Sequence, residues 1–416
     1  MLASSAIREA RRAGIAAESI VPVGSLRRFA PDVGNVTLLG VVPASRHTQA
    51  LRGFGRLPIV AAVSEQTSGS VTISTSRGEI TLHVAAPEDA GAALVWHTGS
   101  HAHVDELQRR ARAIDVHFLD GRLLSPAGDP ISCPNEEDLY ERLGLPLITP
   151  EIRDGNGEIG AAERGEIPPL LSELHIRGDL HMHSTWSDGR NSIADMVSAA
   201  KQLGYEYVAI TDHSEHAWSS RQVAPDDVPR QRAEIDELRA RVHHIEILHG
   251  IEVDIMPDGS LDFGDELLAG FDIVLASLHD PQGQNAAQLT ERYLRAIRHP
   301  LVNVITHPAN RSPAQSPGYD VDFEQLFAAA ALTGTAMEID GAPGHLDMDG
   351  ALARRAAEAG VTIVVDSDCH RVDGLGRQMR FAVGTARRGW IEPRHVLNTR
   401  HVAEVREFVS RKRAGA

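Results

Sequence analysis

A chain of 416 residues with 42% hydrophobic content exceeds one ordinary small domain and can bury substantial cores, so two domains are the first expectation. A formal net charge of −16 excludes a nucleic-acid binder that relies on a broad basic surface, though not a local basic groove. Two cysteines, Cys133 and Cys369, are too few for a disulfide framework; no run is apolar enough to span a membrane and no secretion-signal pattern opens the chain, so a cytoplasmic location is expected.

Residues 1–165 mix strand candidates such as VTLLGVV, SVTIST and ITLHVAA with helical stretches, which predicts a small α+β domain closed by LLSELH slightly further on. The stretch RDGNGEIGAAERGEIPP is rich in Gly, Pro and charge and reads as a connector, placing the boundary between about 155 and 175. Over residues 175–416 the pattern becomes apolar strand, polar loop and amphipathic helix, repeated about seven times, which calls for a parallel sheet closed into an α/β barrel. Ser192 and Asp322 stand as helix caps before apolar-periodic runs, and Gly204 and Gly334 end those runs.

Each apolar run of this second region stops at a potential metal ligand. In order these are His181, His183 and Asp188 (GDLHMHSTWSDG), His213 (YVAITDH), Glu252 (EILHGIEVDI), His279 (DIVLASLH), His307 (VNVITHP), and Asp368 with His370 (VTIVVDSDCH). Loops after the strands of a β/α barrel converge on one face, so folding would gather the set there. His181 and His183 are two apart and point to one side of an extended segment, and Asp368 and His370 repeat that spacing. Imidazoles and carboxylates together favour zinc, manganese or iron; six histidines and three carboxylates are too many for one ion, so two or three divalent ions are expected. Such a cluster lowers the pKa of bound water from about 15.7 to roughly 7 and stabilises charge on phosphoryl oxygens, with a carboxylate expected to bridge two of the ions. Asp188 lies in SDG, which by itself suits a turn as well as a ligand. Asp212 and Asp366 either orient neighbouring ligands or close turns. The remaining histidines, including His243 and His244 on a predicted helix, are read as solvated.

HMHSTWSDG, TDH, GIEVDI, SLH, THP and SDCH resemble, in order and spacing, the ligand motifs of the polymerase and histidinol phosphatase (PHP) domain. The resemblance covers roughly residues 175–400, and GTARRGW with VLNT is most similar to the PHP domain joined to bacterial family X DNA polymerases. It implies a distorted seven-stranded (β/α) barrel, a trinuclear metal site and phosphoesterase activity. It also implies a partition of ligands: His181, His183, Glu252 and Asp368 around one ion, Glu252, His279 and His307 around a second, and Asp188, His213 and His370 around a third. Cys369 departs from the small residue usual between the last Asp and His, and is either a thiol near the metals or a buried inert cysteine.

The first region resembles a truncated, degenerate polymerase palm and thumb. VGSLRR at 23–28 and TGS at 98–100 look like its Gly-Ser signatures, while the three palm positions that hold aspartates in the family read Asn35, Thr37 and Thr81. Hydroxyl and amide groups do not replace carboxylates toward magnesium, so polymerisation is expected to be absent and a scaffold role is favoured for this region. The leading expectation is a 3′–5′ exonuclease or 3′-phosphatase on DNA, with Arg311 after THPAN either contacting a phosphate or forming a surface salt bridge. The alternatives are a small-molecule phosphatase resembling histidinol phosphatase, and a noncatalytic scaffold of a repair complex. No membrane partner is expected.

Overall fold

The repeating apolar runs of the C-terminal region form strands β1 (Gly178–Asp179), β2 (Tyr207–Ile210), β3 (Glu246–Asp254), β4 (Ile273–Ser277), β5 (Val304–Ile305), β6 (Ala336–Asp340) and β7 (Ile363–Asp366). In this computed structural model, which describes residues 2–15, 19–217, 221–313 and 315–414, the seven lie in sequential order and pair in parallel. The chain divides into two compact units, Met1–Ile167 and Pro168–Ala416, and the strands belong to the second.

Alternation along the strands separates two apolar layers. Val208 and Ile210 join a core with residues of the flanking helices, including Val197 and Ile235. Tyr207 and Ala209 instead join Leu248, Ile273, Leu275, Val304, Ala336 and Val364 in the barrel interior. Most of these inward residues lie near the strand starts, and Val405, Phe408 and Val409 of the helix Val402–Ala414 pack among them, plugging that end. The opposite end, where the strands finish, is left for polar side chains.

β1 and β7 are too short to close the barrel by a full ladder. A single parallel bridge joins Met182 to Cys369, and side chains complete the seam. The buried Asn398 amide donates to the carbonyls of Gly178 (3.0 Å) and Val365 (2.5 Å), while its carbonyl oxygen accepts from Val365 N (3.1 Å). Asp366 accepts from Leu180 N (2.8 Å) and Asp179 accepts from Ser367 N (3.2 Å). Asp366 is therefore a seam-closing residue rather than a ligand orienter.

The predicted caps form: Ser192 accepts from Asp195 N (3.2 Å) at the start of Ile193–Gln202, and Asp322 accepts from Gln325 N (3.1 Å) at the start of Phe323–Thr333. Gly334 ends the latter helix in the left-handed region at φ 70°, where a Cβ would be strained.

Within the first unit, five strands run in the order Ile20–Val23, Val36–Val41, Gly78–Ala85, Ser70–Thr75, Ala62–Gln66, and a small three-stranded antiparallel sheet follows. Thr98, Gly99 and Ser100 punctuate two helices: Ser100 accepts from His103 N (3.2 Å) to cap His101–Ala113.

Three expectations are corrected. LLSELH falls in the second unit, with only a short turn of helix at Glu173–His175. His243 and His244 lie in the exposed loop after the helix Val228–Arg241, because that helix ends before them. Not all remaining histidines are solvated: His103 is buried between Glu158 (2.6 Å) and Tyr140 (2.9 Å), and His249 is buried against Gln231 (2.9 Å). Polar partners supplied by the fold make burial tolerable there.

Asn398→Ala removes three buried hydrogen bonds across the seam. It is expected to lower the stability of the barrel by about 3 kcal/mol, read as an earlier urea transition of the full chain; an unchanged midpoint would refute the clamp.

Candidate metal centre

The strand ends deliver the expected side chains to one place. β1 runs into His181 and His183, β2 into His213, β4 into His279, β5 into His307 and β7 into Asp368 and His370, while Glu252 lies within β3. Asp188 comes from the loop after β1, and Asp212 holds that loop. Its carboxylate accepts from Ser184 N (2.7 Å) and Oγ (2.6 Å), from Ser187 N (3.1 Å) and Oγ (2.5 Å), and from Gln231 (2.7 Å). The loop then passes so close to His183 that a Cβ on Gly189 would sit 2.6 Å from the His183 carbonyl, so only glycine fits beside Asp188. His307 (φ 28°) and Asp368 (φ 45°) occupy positive φ as non-glycine residues, a backbone cost found typically at functional sites.

All nine residues meet. Glu252, 1% exposed, lies at their centre: one carboxylate oxygen faces His213 (2.7 Å), His181 (3.5 Å) and His183 (3.7 Å), and the other faces His307 (3.0 Å) and His279 (3.7 Å). Asp368 approaches His183 (3.1 Å) and His181 (3.7 Å), and Asp188 approaches His370 (3.1 Å) and His213 (3.6 Å). Ligand atoms lie within 4.8 Å of one another in the sets His181, His183, Asp368; His183, Asp188, His213, His370; and His213, Glu252, His279. His183 and His213 thus each belong to two neighbouring sets.

Carboxylates outside this ring orient the imidazoles. Glu338 is hydrogen-bonded to His181 Nδ1 (2.6 Å) and Asp254 to His279 Nδ1 (3.1 Å), which leaves each Nε2 turned inward with its lone pair. Sequence reasoning missed both residues. The signal was present at Glu338: like Glu252, it is a carboxylate inside an otherwise apolar strand, AMEID.

Burial opposes charge on these groups, but their neighbours prevail at several positions. Against burial, Glu338, Glu252 and Asp368 hold the His181 imidazole well above the ordinary histidine range. His213 and His181 likewise overcome burial to keep Glu252 well below the usual carboxylate range. Glu252 carries His307 up to about 9 against burial, and Asp368 with Asp188 does the same for His370. At His183 burial wins, aided by His370 and His213, and pushes it down to about 3.

The donor set fits divalent cations. His181 Nε2 and His183 Nε2 face each other at 3.2 Å with Nδ1 of His181 occupied by Glu338, so a proton must lie between them unless a cation takes its place and satisfies both. Glu252 Oε2 and Asp188 Oδ1 are buried carboxylate oxygens that meet only imidazole nitrogens, His213 at 2.7 Å and His370 at 3.1 Å. Mixed imidazole and carboxylate donors suit zinc, manganese or iron.

Comparison with known proteins agrees with this geometry. Residues 179–311 match the PHP domain, and residues 93–154 match the DNA polymerase beta thumb. The DNA polymerase/3′-5′ exonuclease PolX of Bacillus subtilis (strain 168) is 35% identical over 393 residues, covering 93% of this chain and 68% of that protein. The chain belongs to the PolX family. Two further relatives match a shorter stretch. A probable phosphatase of Shewanella sp. (strain ANA-3) is 33% identical over 50% of this chain and 79% of its own length, and one of Thermoanaerobacter sp. (strain X514) is 30% identical over 56% and 95%. This PolX-family chain is a hydrolase of phosphate esters. No helix among its described residues is long and apolar enough to cross a membrane.

Cys369 stands apart from the ligand ring. Its thiol donates to Arg371 O (2.8 Å), it packs in the helix-facing core, and burial pushes it up to about 12. Arg311 is 9% exposed rather than on the open surface, and donates to Leu346 O (3.4 Å).

Cations and protons compete for the same nitrogens, and the raised values of His307 and His370 mean that protons are held up to about pH 9. Apparent metal affinity should therefore rise with pH from 6.5 to about 9, by about tenfold per pH unit for each proton displaced, and weaken on acidification. Chelator competition at several pH values checks this; a flat profile contradicts it. Glu338→Gln should weaken binding by about 10–100-fold in the same assay, since it disturbs the orientation of His181.

Proposed function

We propose that the barrel is a metal-dependent phosphoesterase of DNA 3′ ends, a 3′–5′ exonuclease or 3′-phosphatase, and that the chain does not polymerise. The observation that carries the DNA reading is the reach of the likeness. The relative named DNA polymerase/3′-5′ exonuclease matches through both units, over 93% of the chain.

In this reading His181, His183, Glu252 and Asp368 hold one divalent ion, Glu252, His279 and His307 a second, and Asp188, His213 and His370 a third. The two faces of the Glu252 carboxylate support its role as the bridge. Zinc, manganese or iron bound there lowers the pKa of water and offsets charge on phosphoryl oxygens. The chain's own residues do the positioning. Glu338 and Asp254 fix imidazole tautomers, Asp212 holds the Asp188 loop, and Glu252 and Asp368 supply the anionic centre on which the ions and the attacking water are held. Arg311, four residues beyond His307, adds a bidentate contact to a substrate phosphate.

The first unit supports the loss of polymerisation. Thr37 and Thr81 are register partners on adjacent parallel strands, and Thr81 is hydroxyl-bonded to Thr72 (3.0 Å), so the strand pair presents hydroxyls where the family palm holds aspartates. The Gly-Ser turn is tied into its own unit as well: Arg27 pairs with Glu136 (2.6 Å) and Arg28 with Asp154 (2.8 Å). Both pairings favour a scaffold over a phosphate cradle.

The probable phosphatases, which match about half of the chain, support a second reading in which the substrate is a phosphorylated metabolite. Turnover of a 3′-recessed duplex and of phosphomonoesters, with manganese in both, separates the two. The expected result is DNA processing that His183→Ala or Glu252→Ala reduces by at least about 10³-fold, a loss of about 4 kcal/mol of transition-state stabilisation, while Asn35→Ala and Thr37→Ala leave it unchanged. Turnover confined to metabolites would transfer the function to the second reading. Undiminished DNA processing in the His183→Ala, Glu252→Ala double variant would sink the ligand assignment.

A further inference from the structure

One group of potential ligands at the end of the barrel adds two residues, Asp340 and His345, to the nine. Asp340 closes β6, His345 lies in the loop that follows, and their ligand atoms, together with one from Asp368, lie within 4.8 Å of one another. Asp340 is fully buried. Its Oδ1 accepts from Ala342 N (2.5 Å), but its Oδ2 has no hydrogen-bond partner, and neither has the buried Nδ1 of His345. The His345 ring is held in place by stacking on His307, with centroids 4.8 Å apart and planes 16° from parallel.

Two carboxylates and an imidazole that approach so closely without bonding to one another leave buried acceptor positions aimed at a common point. Protein interiors seldom tolerate that unless a cation or a donor fills the gap. The donor types are those of a manganese- or iron-class ion, richer in oxygen than the His181 and His183 pair. The His345 residue is half-buried, but its Nδ1 and Asp340 Oδ2 are buried atoms.

We propose that Asp340, His345 and Asp368 form an additional divalent-cation position, with Asp368 shared between it and the position held by His181 and His183. The inference rests on the ligand reading above only through Asp368. Asp340 and His345 belong to this position alone. His345 lies beside Leu346, whose carbonyl receives Arg311, so the ion and the guanidinium would be held by the same loop.

The test is Mn2+ binding to the full chain, by elemental analysis and by titration followed with electron paramagnetic resonance. Asp340→Asn keeps the oxygen that accepts from Ala342 N and removes the charge; His345→Phe keeps a ring against His307 and removes the nitrogen donor. Each is expected to bind one equivalent of Mn2+ fewer than the parent while retaining the others, and Mn2+ anomalous scattering from parent crystals is expected to show a peak among Asp340, His345 and Asp368. Unchanged stoichiometry and affinity in both variants, with the parent loaded and no such peak, overturns this position and leaves the nine-residue centre standing. A parent chain that binds no Mn2+ overturns both.

Discussion

An ionised carboxylate buried without compensation would cost more than a fold of this size has to spare, and Glu252 is buried at the middle of the barrel mouth. Everything around it answers that constraint. Histidines approach both of its oxygens, Thr306 donates to one of them (3.1 Å), and the surrounding loops are locked so that these partners cannot drift away. The same demand spreads outward. Buried Glu338, Asp254 and Asp212 are each matched to an imidazole or to serine hydroxyls and amides, so the negative charge of the site is held in a graded series rather than as one isolated anion. A divalent ion is the natural counter-charge for such a centre, and the chemistry of phosphate esters follows from the same excess of positive charge once ions are in place.

The two units differ in the polar side chains at their strand positions. In the barrel carboxylates are enclosed by partners. In the first unit Thr37 and Thr81 leave adjacent strands with hydroxyls, one of them bonded to Thr72, and no cation is called for at that pair. The arginines that follow the Gly-Ser turn have carboxylate partners within their own unit, so they serve its cohesion. Packing of this sheet depends on apolar residues such as Leu38, Val71 and Leu82.

Much of the barrel could be read in the chain because strand, capped helix and glycine stop recur with regular period, and because a ligand at each strand end is a positional signal that survives ignorance of tertiary structure. Ser192 and Asp322 behaved as caps for the same reason: capping is local. What escaped is what depends on distant partners. Glu338, a carboxylate in an apolar strand, acquires its role only when His181 is brought to it from 157 positions away. His249 and His103 looked solvated because a buried histidine is betrayed only by its partner, here Gln231 and Glu158. Asn398 lies in VLNT, but its role, like that of the plugging helix, exists only once the first and last strands are side by side.

That last relation has a consequence for how the protein comes into being. The seam between β1 and β7 is held by Asn398, which follows every ligand in the chain. During synthesis His181 and His183 emerge early, yet the edge on which they stand has no neighbour until the final strand and the segment beyond it have been made. The candidate ion-holding mouth is thus closed only after Asn398 has been made, so a nascent chain that stops short of it lacks the clamp between β1 and β7.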